Sequence, residues 1–291
     1  MGWETLEVTE HGEGIVEIAL DRPESRNAQN FELIEELDDA TQEYDGDDET
    51  RVIVLSGNGP DFSTGHELAG DDLEYLEEED AIPEIPDGNV TEFIADGQIP
   101  HEEEMYFEKC INIKELSVPT IAQIHGYCGG AGLMLMTACD LAVASEDAVF
   151  QNPVMRFCGC GVELLLEPWE MGFRRGKEFL WTGEEISSDE AVDLGMVNRA
   201  VPGEQLADET MTLATKIARM PPFTLQLSKR SFNFMESQMG LRDAWKYHFM
   251  VHQIAHLSRE WTEWHEEMNE VLAEEGFGEW IRQRDAPFDI D

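Results

Sequence analysis

Four glycines in close succession mark the part of the chain that could do chemistry through its backbone. Gly126, Gly129, Gly130 and Gly132 follow a short apolar run at 121–124. Glycine lets a backbone approach a ligand closely, and a helix beginning here would add partial positive charge at its first N–H groups. The stretch lacks the Lys-Ser/Thr of a phosphate loop and the GxGxxG spacing of a dinucleotide site. The residue types therefore favour N–H donors aimed at a developing oxyanion.

Strands on both sides and a helix behind the glycines must hold such donors in place. Residues 121–124 and 141–144 have the length and composition of buried strands, and 133–139 is apolar enough for a buried helix. A second stretch agrees with the first. Residues 52–55 predict a strand, and a glycine turn leads from it into 62–68, Phe-Ser-Thr-Gly-His-Glu-Leu.

The remaining segments alternate between strand and helix patterns. Residues 5–21 predict a hairpin that turns at 11–14, and apolar residues along 30–44 lie on one face of a helix that Asn30 would cap. Further helices are predicted at 106–116, 187–194, 203–219, 223–236 and 244–273.

Acidic residues dominate the composition. The 291 residues include 63 Asp and Glu against 19 Lys and Arg, a formal net charge of −44, with 42% hydrophobic residues. Nucleic-acid binding would need the opposite sign, and a disordered acidic chain would lack the apolar content. Acids spread along an otherwise ordinary pattern indicate a protein adapted to molar salt, where the screening length falls to about 3 Å.

The cysteines and the hydropathy indicate the compartment. Five cysteines and no signal peptide favour reduced thiols in a cytosol, so a cytoplasmic location is expected. No apolar run approaches the ~18 residues that span a membrane.

The two glycine stretches resemble those of the crotonase (enoyl-CoA hydratase/isomerase) superfamily. Two further segments are similar to that family in the same order: 18–28, with its Asn-Ala pair, and 182–202, which resembles the family's ISAxEAxxxGLVxxVVP segment. Four motifs in the right order extend the resemblance over most of the chain.

The resemblance implies an α/β fold, a crotonase-like spiral of stacked ββα turns. Residues 1–200 would form the core that binds acyl-CoA, and 201–291 a helical region that packs into a homotrimer or a dimer of trimers. It implies an acyl-CoA or enoyl-CoA substrate, and no cofactor beyond the coenzyme A of that substrate. The polar segment 69–104, a solvated loop by composition, corresponds to the family segment that lines the acyl pocket.

The same resemblance implies the site residues. The N–H groups of His66 and Ala131 would stabilise the thioester oxyanion, and the side chain of His66 need not take part. Glu163 stands where other branches of the family place a catalytic Asp, and it could shuttle a proton or be one surface acid among many. Glu67 and Asp71 are lesser candidates for the base. Contacts with coenzyme A are implied for the set Arg26, Thr64, His66, Leu68 and Gly130.

One departure limits the reaction. Hydratases of the family carry two glutamates, and the corresponding positions here hold Met134 and Val154, neither of which can move a proton. The pairing of two carboxylates that adds water to a double bond is therefore not supported. The resemblance to the family nevertheless favours the name enoyl-CoA hydratase. Hydration and double-bond isomerisation both stay open. A non-catalytic acyl-CoA-binding protein and a CoA thioester hydrolase are the alternatives to them.

Two groups of residues could bind a metal or phosphates, but each also fits an ordinary structural role. His248, His252 and His256 are spaced at i, i+4 and i+8, but no fourth ligand is evident. We therefore expect no metal there and interpret the row as a polar or intersubunit helix face. A cationic group near 174–177 could meet phosphates or, more commonly, pair with neighbouring acids.

Overall fold

The computed structural model describes residues 2–67 and 98–290, in which short strands of three sheets hold the glycine stretches. The strands are β1 Leu6–His11, β2 Ile15–Leu20, β3 Ala28–Gln29, β4 Val52–Gly57, β5 Gly65–His66, β6 Thr120–Ile124, β7 Tyr127–Gly129, β8 Leu141–Ser145, β9 Val149–Gln151, β10 Ile186–Ser187 and β11 Arg199–Val201.

The largest sheet among the described residues has six strands in the order β1-β2-β4-β6-β8-β11. β1 and β2 form the predicted hairpin, with Leu6 opposite Leu20, and every other neighbouring pair is parallel. β4 and β6 are apolar and almost completely buried, as expected for parallel strands covered on both faces. The α/β class and the predicted central strands are confirmed.

Two smaller sheets carry the segments of chemical interest. β7, β9 and β10 form one of them, and β3 pairs with β5 in the other. An isolated bridge between Ser63 and Cys128 joins the two sheets, and the Gly129 N–H donates to the Ser63 carbonyl at 3.0 Å. The two glycine stretches are therefore adjacent in space.

Helices follow the strands and dominate the C-terminal part. They are α1 Phe31–Asp45, α2 Gln98–Glu102, α3 Lys109–Glu115, α4 Ala131–Ala138, α5 Glu167–Thr182, α6 Ser188–Leu194, α7 Leu206–Ala218, α8 Pro222–Gln238, α9 Leu241–His256, α10 Arg259–Glu275 and α11 Phe277–Asp285, with a π-helix at Glu103–Glu108 and 3₁₀ turns at Pro23–Ser25, Val154–Phe157, Gly203–Gln205 and Ala286–Phe288. The Asn30 side chain accepts the Leu33 N–H at 3.0 Å, which confirms the predicted cap of α1.

The prediction of one long helix at 244–273 is wrong, because this segment forms two helices, α9 and α10. The Ser258 side chain accepts the Trp261 N–H at 3.1 Å and thereby starts the second helix. The first turn of a helix leaves N–H groups without partners, so a capping serine can begin a helix within an apolar, aromatic sequence.

Helix α9 lies over the loop that carries Glu163. Trp245 is 1% exposed, and its indole N–H donates to the Leu165 carbonyl at 3.0 Å. The contact is stabilised by the apolar surface that the indole buries and by the hydrogen bond that satisfies its N–H. The C-terminal helices therefore help to build the interior, while the division of the chain at residue 200 stays a prediction.

All five cysteines carry free thiols in the structure, and their reduced state in a cytosol stays a prediction.

Among the described helices, none combines the length and the apolar composition that crossing a membrane requires.

Candidate active site

Strand β5 packs directly against the start of helix α4. Gly65 has φ +98°, and a Cβ atom placed on it would lie 2.8 Å from the Ala131 backbone nitrogen. Glycine is therefore required at 65 by both the backbone conformation and the available space. The structure brings together the two segments that carry His66 and Ala131, and the oxyanion role of their N–H groups stays a prediction.

The amide of Ala131 begins α4. The preceding residue, Gly130, has φ +52° and donates its own N–H to the Gln151 carbonyl at 3.1 Å. The first N–H groups of a helix have no acceptor within that helix, and they carry the positive end of its dipole. The Gly130 N–H is therefore already bonded to β9, and the expected contact of Gly130 with coenzyme A stays a prediction.

Glu163 is a buried carboxyl group rather than a surface acid. It is 4% exposed, and its Oε1 atom lies 3.5 Å from Nδ1 of His66. Burial raises the pKa of Glu163 to about 8, and the nearby Glu102 carboxylate acts in the same direction. A carboxyl group with a pKa in this range can take and return a proton near neutral pH.

The side chain of His66 also lines the site, although the expected oxyanion role requires only its N–H. Its ring stacks on the ring of Tyr106, with the centroids 3.8 Å apart. Burial lowers the pKa of His66 to about 3, so the imidazole is neutral at ordinary pH. A neutral ring beside Glu163 can exchange a hydrogen bond with it without an additional charge.

The histidine row of α9 faces the interior, which corrects its interpretation as a polar or intersubunit face. His248 is 6% exposed and His252 is 3% exposed. Nε2 of His248 lies 2.9 Å from the Val162 carbonyl, and Nε2 of His252 lies 3.6 Å from Oε1 of Glu163. Burial, followed by the neighbouring His256 and His248, lowers the pKa of His252 well below its ordinary value.

Sequence reasoning thus missed His252 as a neighbour of the candidate base. The spacing of the histidines was a visible signal, because i, i+4 and i+8 residues share one helix face. The partner of that face was not visible, since Glu163 lies far away in the chain.

A narrow cleft opens beside His66. Most of its walls are apolar side chains from α1, the π-helix, α3 and α4, and the lining residues include Ile34, Leu37, Met105, Tyr106, Met134 and Leu135. A site of this composition suits an apolar chain bound next to a few polar groups.

The two positions at which hydratases carry glutamates are apolar and buried here. Met134 is 2% exposed and lines the cleft, and Val154 is 8% exposed at the start of a 3₁₀ turn. Neither position supplies a carboxylate.

Two other carboxyl groups of raised pKa, the buried Glu167 and the half-buried Glu170, belong to α5 and face a different side of α4. Burial raises the pKa of Glu167 and raises that of Glu170 to about 7. The Asn152 side-chain amide donates to Oε1 of Glu167 at 2.6 Å. Both carboxyl groups line a second cleft with Met136 and Thr137, separate from the cleft beside His66.

Two of the residues expected to contact coenzyme A lie next to each other in the structure. The Thr64 N–H donates to the Arg26 carbonyl at 3.3 Å, so these two residues are adjacent. The Arg26 guanidinium pairs with Asp61 at 2.5 Å, lies over the Tyr127 ring and keeps 55% of its side chain exposed. Leu68 lies outside the described residues.

Of the two lesser candidates for a base, the structure describes Glu67 alone. Glu67 pairs with Arg22, its Oε2 atom 3.0 Å from Nη2 of the arginine. Asp71 lies outside the described residues. In the cationic group, Arg175 pairs with Glu178 and Glu190, as expected for the commoner of its two interpretations.

Comparison with known proteins identifies the family. The family model for enoyl-CoA hydratase/isomerase matches residues 10–100 and 94–260. The protein EchA13 of Mycobacterium tuberculosis, described as a putative enoyl-CoA hydratase, is 41% identical over 245 residues, which cover 83% of this chain and 77% of that protein. The hydroxycinnamoyl-CoA hydratase-lyase of Pseudomonas fluorescens is 30% identical and covers 79% of this chain and 78% of the enzyme.

A solved structure agrees with these relatives. The enoyl-CoA hydratase/isomerase from Xanthobacter autotrophicus Py2 superposes with a TM-score of 0.84 at 26% identity, covering 99% of this chain and 100% of that one. The matching family model, the relatives and the shared fold agree with the motifs and with the adjacent glycine stretches. The chain is therefore a member of the enoyl-CoA hydratase/isomerase family of the crotonase superfamily.

Proposed function

We propose that this protein is an enoyl-CoA isomerase that moves a double bond with one carboxyl group, Glu163. The observation that carries the proposal is the position of Glu163, which is buried beside His66 at the junction of β5 and α4. The positions of the two hydratase glutamates hold Met134 and Val154, which removes the usual means of activating water.

The proposed reaction needs one base and one oxyanion site. Ionised Glu163 removes a proton from C2 of a 3-enoyl-CoA, and the electron pair moves onto the thioester oxygen. The N–H groups of His66 and Ala131 stabilise that enolate oxygen, an effect worth several kcal/mol in a preorganised site. Protonated Glu163 then returns the proton to C4, which produces the 2-enoyl-CoA and regenerates the base.

The thioester would be held by its coenzyme A and by its acyl chain. Arg26 and Thr64 lie on neighbouring loops with the Arg26 side chain exposed, which supports a role near the nucleotide. The apolar cleft beside His66 supports a hydrocarbon acyl group.

A spectrophotometric assay tests the proposal. Purified protein in molar KCl is given a 3-enoyl-CoA, and the absorbance of the conjugated enoyl thioester is followed. A gain in absorbance supports isomerisation. Loss of absorbance with crotonyl-CoA would instead indicate hydration, the reaction in the name of the Pseudomonas relative.

A thioester hydrolase and a non-catalytic acyl-CoA-binding protein would each give a different result with the same purified protein. Release of free thiol from an acyl-CoA would identify the hydrolase. Tight acyl-CoA binding without turnover of either enoyl substrate would identify the binding protein.

We also propose that the chain assembles as a homotrimer or a dimer of trimers. Large apolar side chains on α8 and on the outer face of α9 are exposed in the single chain, which supports burial against other copies. They are Phe223, Leu227, Phe232, Phe234, Met235, Tyr247, Met250 and Ile254. Light scattering in molar KCl measures the assembly.

A further inference from the structure

Three ligating side chains meet where α9 approaches the end of α2. One ligand atom from each of Glu102, His252 and His256 lies within 4.8 Å of the other two. Nδ1 of His256 is 3.7 Å from Oε2 of Glu102, and the two imidazole rings have centroids 4.3 Å apart. Glu102 supplies the carboxylate that could not be placed beside the histidine row from sequence.

These groups are shielded from solvent. Glu102 is 6% exposed and His252 is 3% exposed, and the His256 side chain is 9% exposed beneath the Trp261 ring. Within the described residues, Nδ1 of His256 has no hydrogen-bond partner. Buried polar atoms are normally satisfied, and a cation shared among the three side chains would satisfy this nitrogen.

We propose that Glu102, His252 and His256 bind one divalent transition-metal cation of the zinc type. Two imidazole nitrogens and one carboxylate oxygen are a donor set suited to such ions, and histidines at i and i+4 share one helix face. Bonds of about 2.0–2.2 Å in a tetrahedral site place ligand atoms about 3.3–3.5 Å apart. The spacing between His256 and Glu102 is close to that value, and rotations of the side chains would bring His252 within reach.

The surroundings fit a metal site as well as the ligands do. The Gln253 side-chain amide donates to Oε2 of Glu102 at 2.5 Å and would fix the orientation of that carboxylate. Burial lowers the pKa of His256 to about 4, which keeps its imidazole in the neutral form that binds metals. The bound cation would join α9 to α2 and fix the position of His252 beside Glu163.

Metal titration of the full chain tests the proposal. Protein treated with a chelator in molar KCl is titrated with Co²⁺ and with Zn²⁺. We expect one cation per chain, a visible absorption band of tetrahedral type for Co²⁺, and a higher unfolding temperature with Zn²⁺, since binding to the folded state stabilises it. Glu102→Gln and His256→Gln should each weaken the affinity by at least about tenfold.

Matched variants separate this site from the acidic surface. Glu103→Gln changes an exposed acid next to Glu102, and His265→Gln removes a histidine on α10 that stacks on Trp261. Both should bind Co²⁺ as the parent protein does. Equal loss of affinity in Glu102→Gln and Glu103→Gln would overturn the proposal. So would the absence of the tetrahedral band in the parent protein at saturating Co²⁺, a result that does not depend on any variant folding.

Discussion

Nε2 of His252 lies 3.6 Å from Oε1 of Glu163 and links the C-terminal helix α9 to the loop that follows the Val154–Phe157 turn. His66 approaches the same oxygen from strand β5 at 3.5 Å. The carboxyl group is therefore held between two imidazoles from distant parts of the chain, and both rings are neutral because burial lowers their pKa values. This environment favours a proton-carrying carboxyl group over a permanent carboxylate.

Replacement of Glu163 by Gln should remove catalysis and keep binding. Loss of a general base costs about 10²–10⁴ in rate, so kcat should fall by that factor while the Kd for a saturated acyl-CoA changes little. Glu170→Gln is the matched control, because it removes another carboxyl group of raised pKa outside the cleft beside His66. Unchanged turnover in Glu163→Gln would remove this residue from the mechanism.

The activity should rise with pH. A base must be ionised, and burial raises the pKa of Glu163 to about 8. In protein kept free of metal by a chelator, kcat/KM should increase by about tenfold per pH unit below that value and level off above it. A profile that is flat between about pH 6 and 8 would contradict this assignment.

Ionisation of Glu163, which should raise the activity as pH rises, should lower the free energy of unfolding. The folded-state pKa of Glu163 lies above its ordinary value, so the folded protein holds this proton more tightly than the unfolded chain. Its contribution to the free energy of unfolding is therefore largest below the ordinary pKa and decreases as pH rises towards about 8. Urea titrations should show a shallower decrease over this window for Glu163→Gln than for the parent protein.

Gly65→Ala should impair catalysis without touching any catalytic side chain. The new Cβ atom would lie 2.8 Å from the Ala131 nitrogen at a residue with φ +98°, so the two segments must separate. Loss of one oxyanion donor costs about 10²–10³ in kcat. Gly240→Ala is the matched control, because Gly240 has the same φ and no atom within 4 Å of the added Cβ.

The two glycine variants should therefore differ in activity more than in backbone strain. Both introduce a side chain at positive φ, which costs about 1–2 kcal/mol of stability. Equal kcat values for Gly65→Ala and Gly240→Ala would contradict a role for the contact between β5 and α4.

Salt should stabilise the fold. With 63 acidic and 19 basic residues, repulsion is strong in dilute buffer and is screened over about 3 Å at molar ionic strength. We expect the unfolding temperature and the activity to increase with KCl into the molar range. Full stability after dialysis into dilute buffer would contradict this expectation.

Much of the local structure could be predicted because it depends on neighbouring residues. The hairpin of β1 and β2, the cap at Asn30 and the strands that flank the glycines follow from alternation, capping and short apolar runs. The break at Ser258 was missed, since a single capping serine competes weakly with a long apolar pattern.

The sequence by itself determined the family, the β5 and α4 segments that would carry the oxyanion amides, and the absence of glutamate at residues 134 and 154. Each of these is a property of residue types at fixed spacing. Only the tertiary structure decided that Glu163 is buried and that the His66 ring lies beside it. The tertiary structure alone also placed Glu102 next to His252 and His256. These relationships join residues far apart in the chain, and burial, which sets their pKa values, exists only once the helices pack over the sheet.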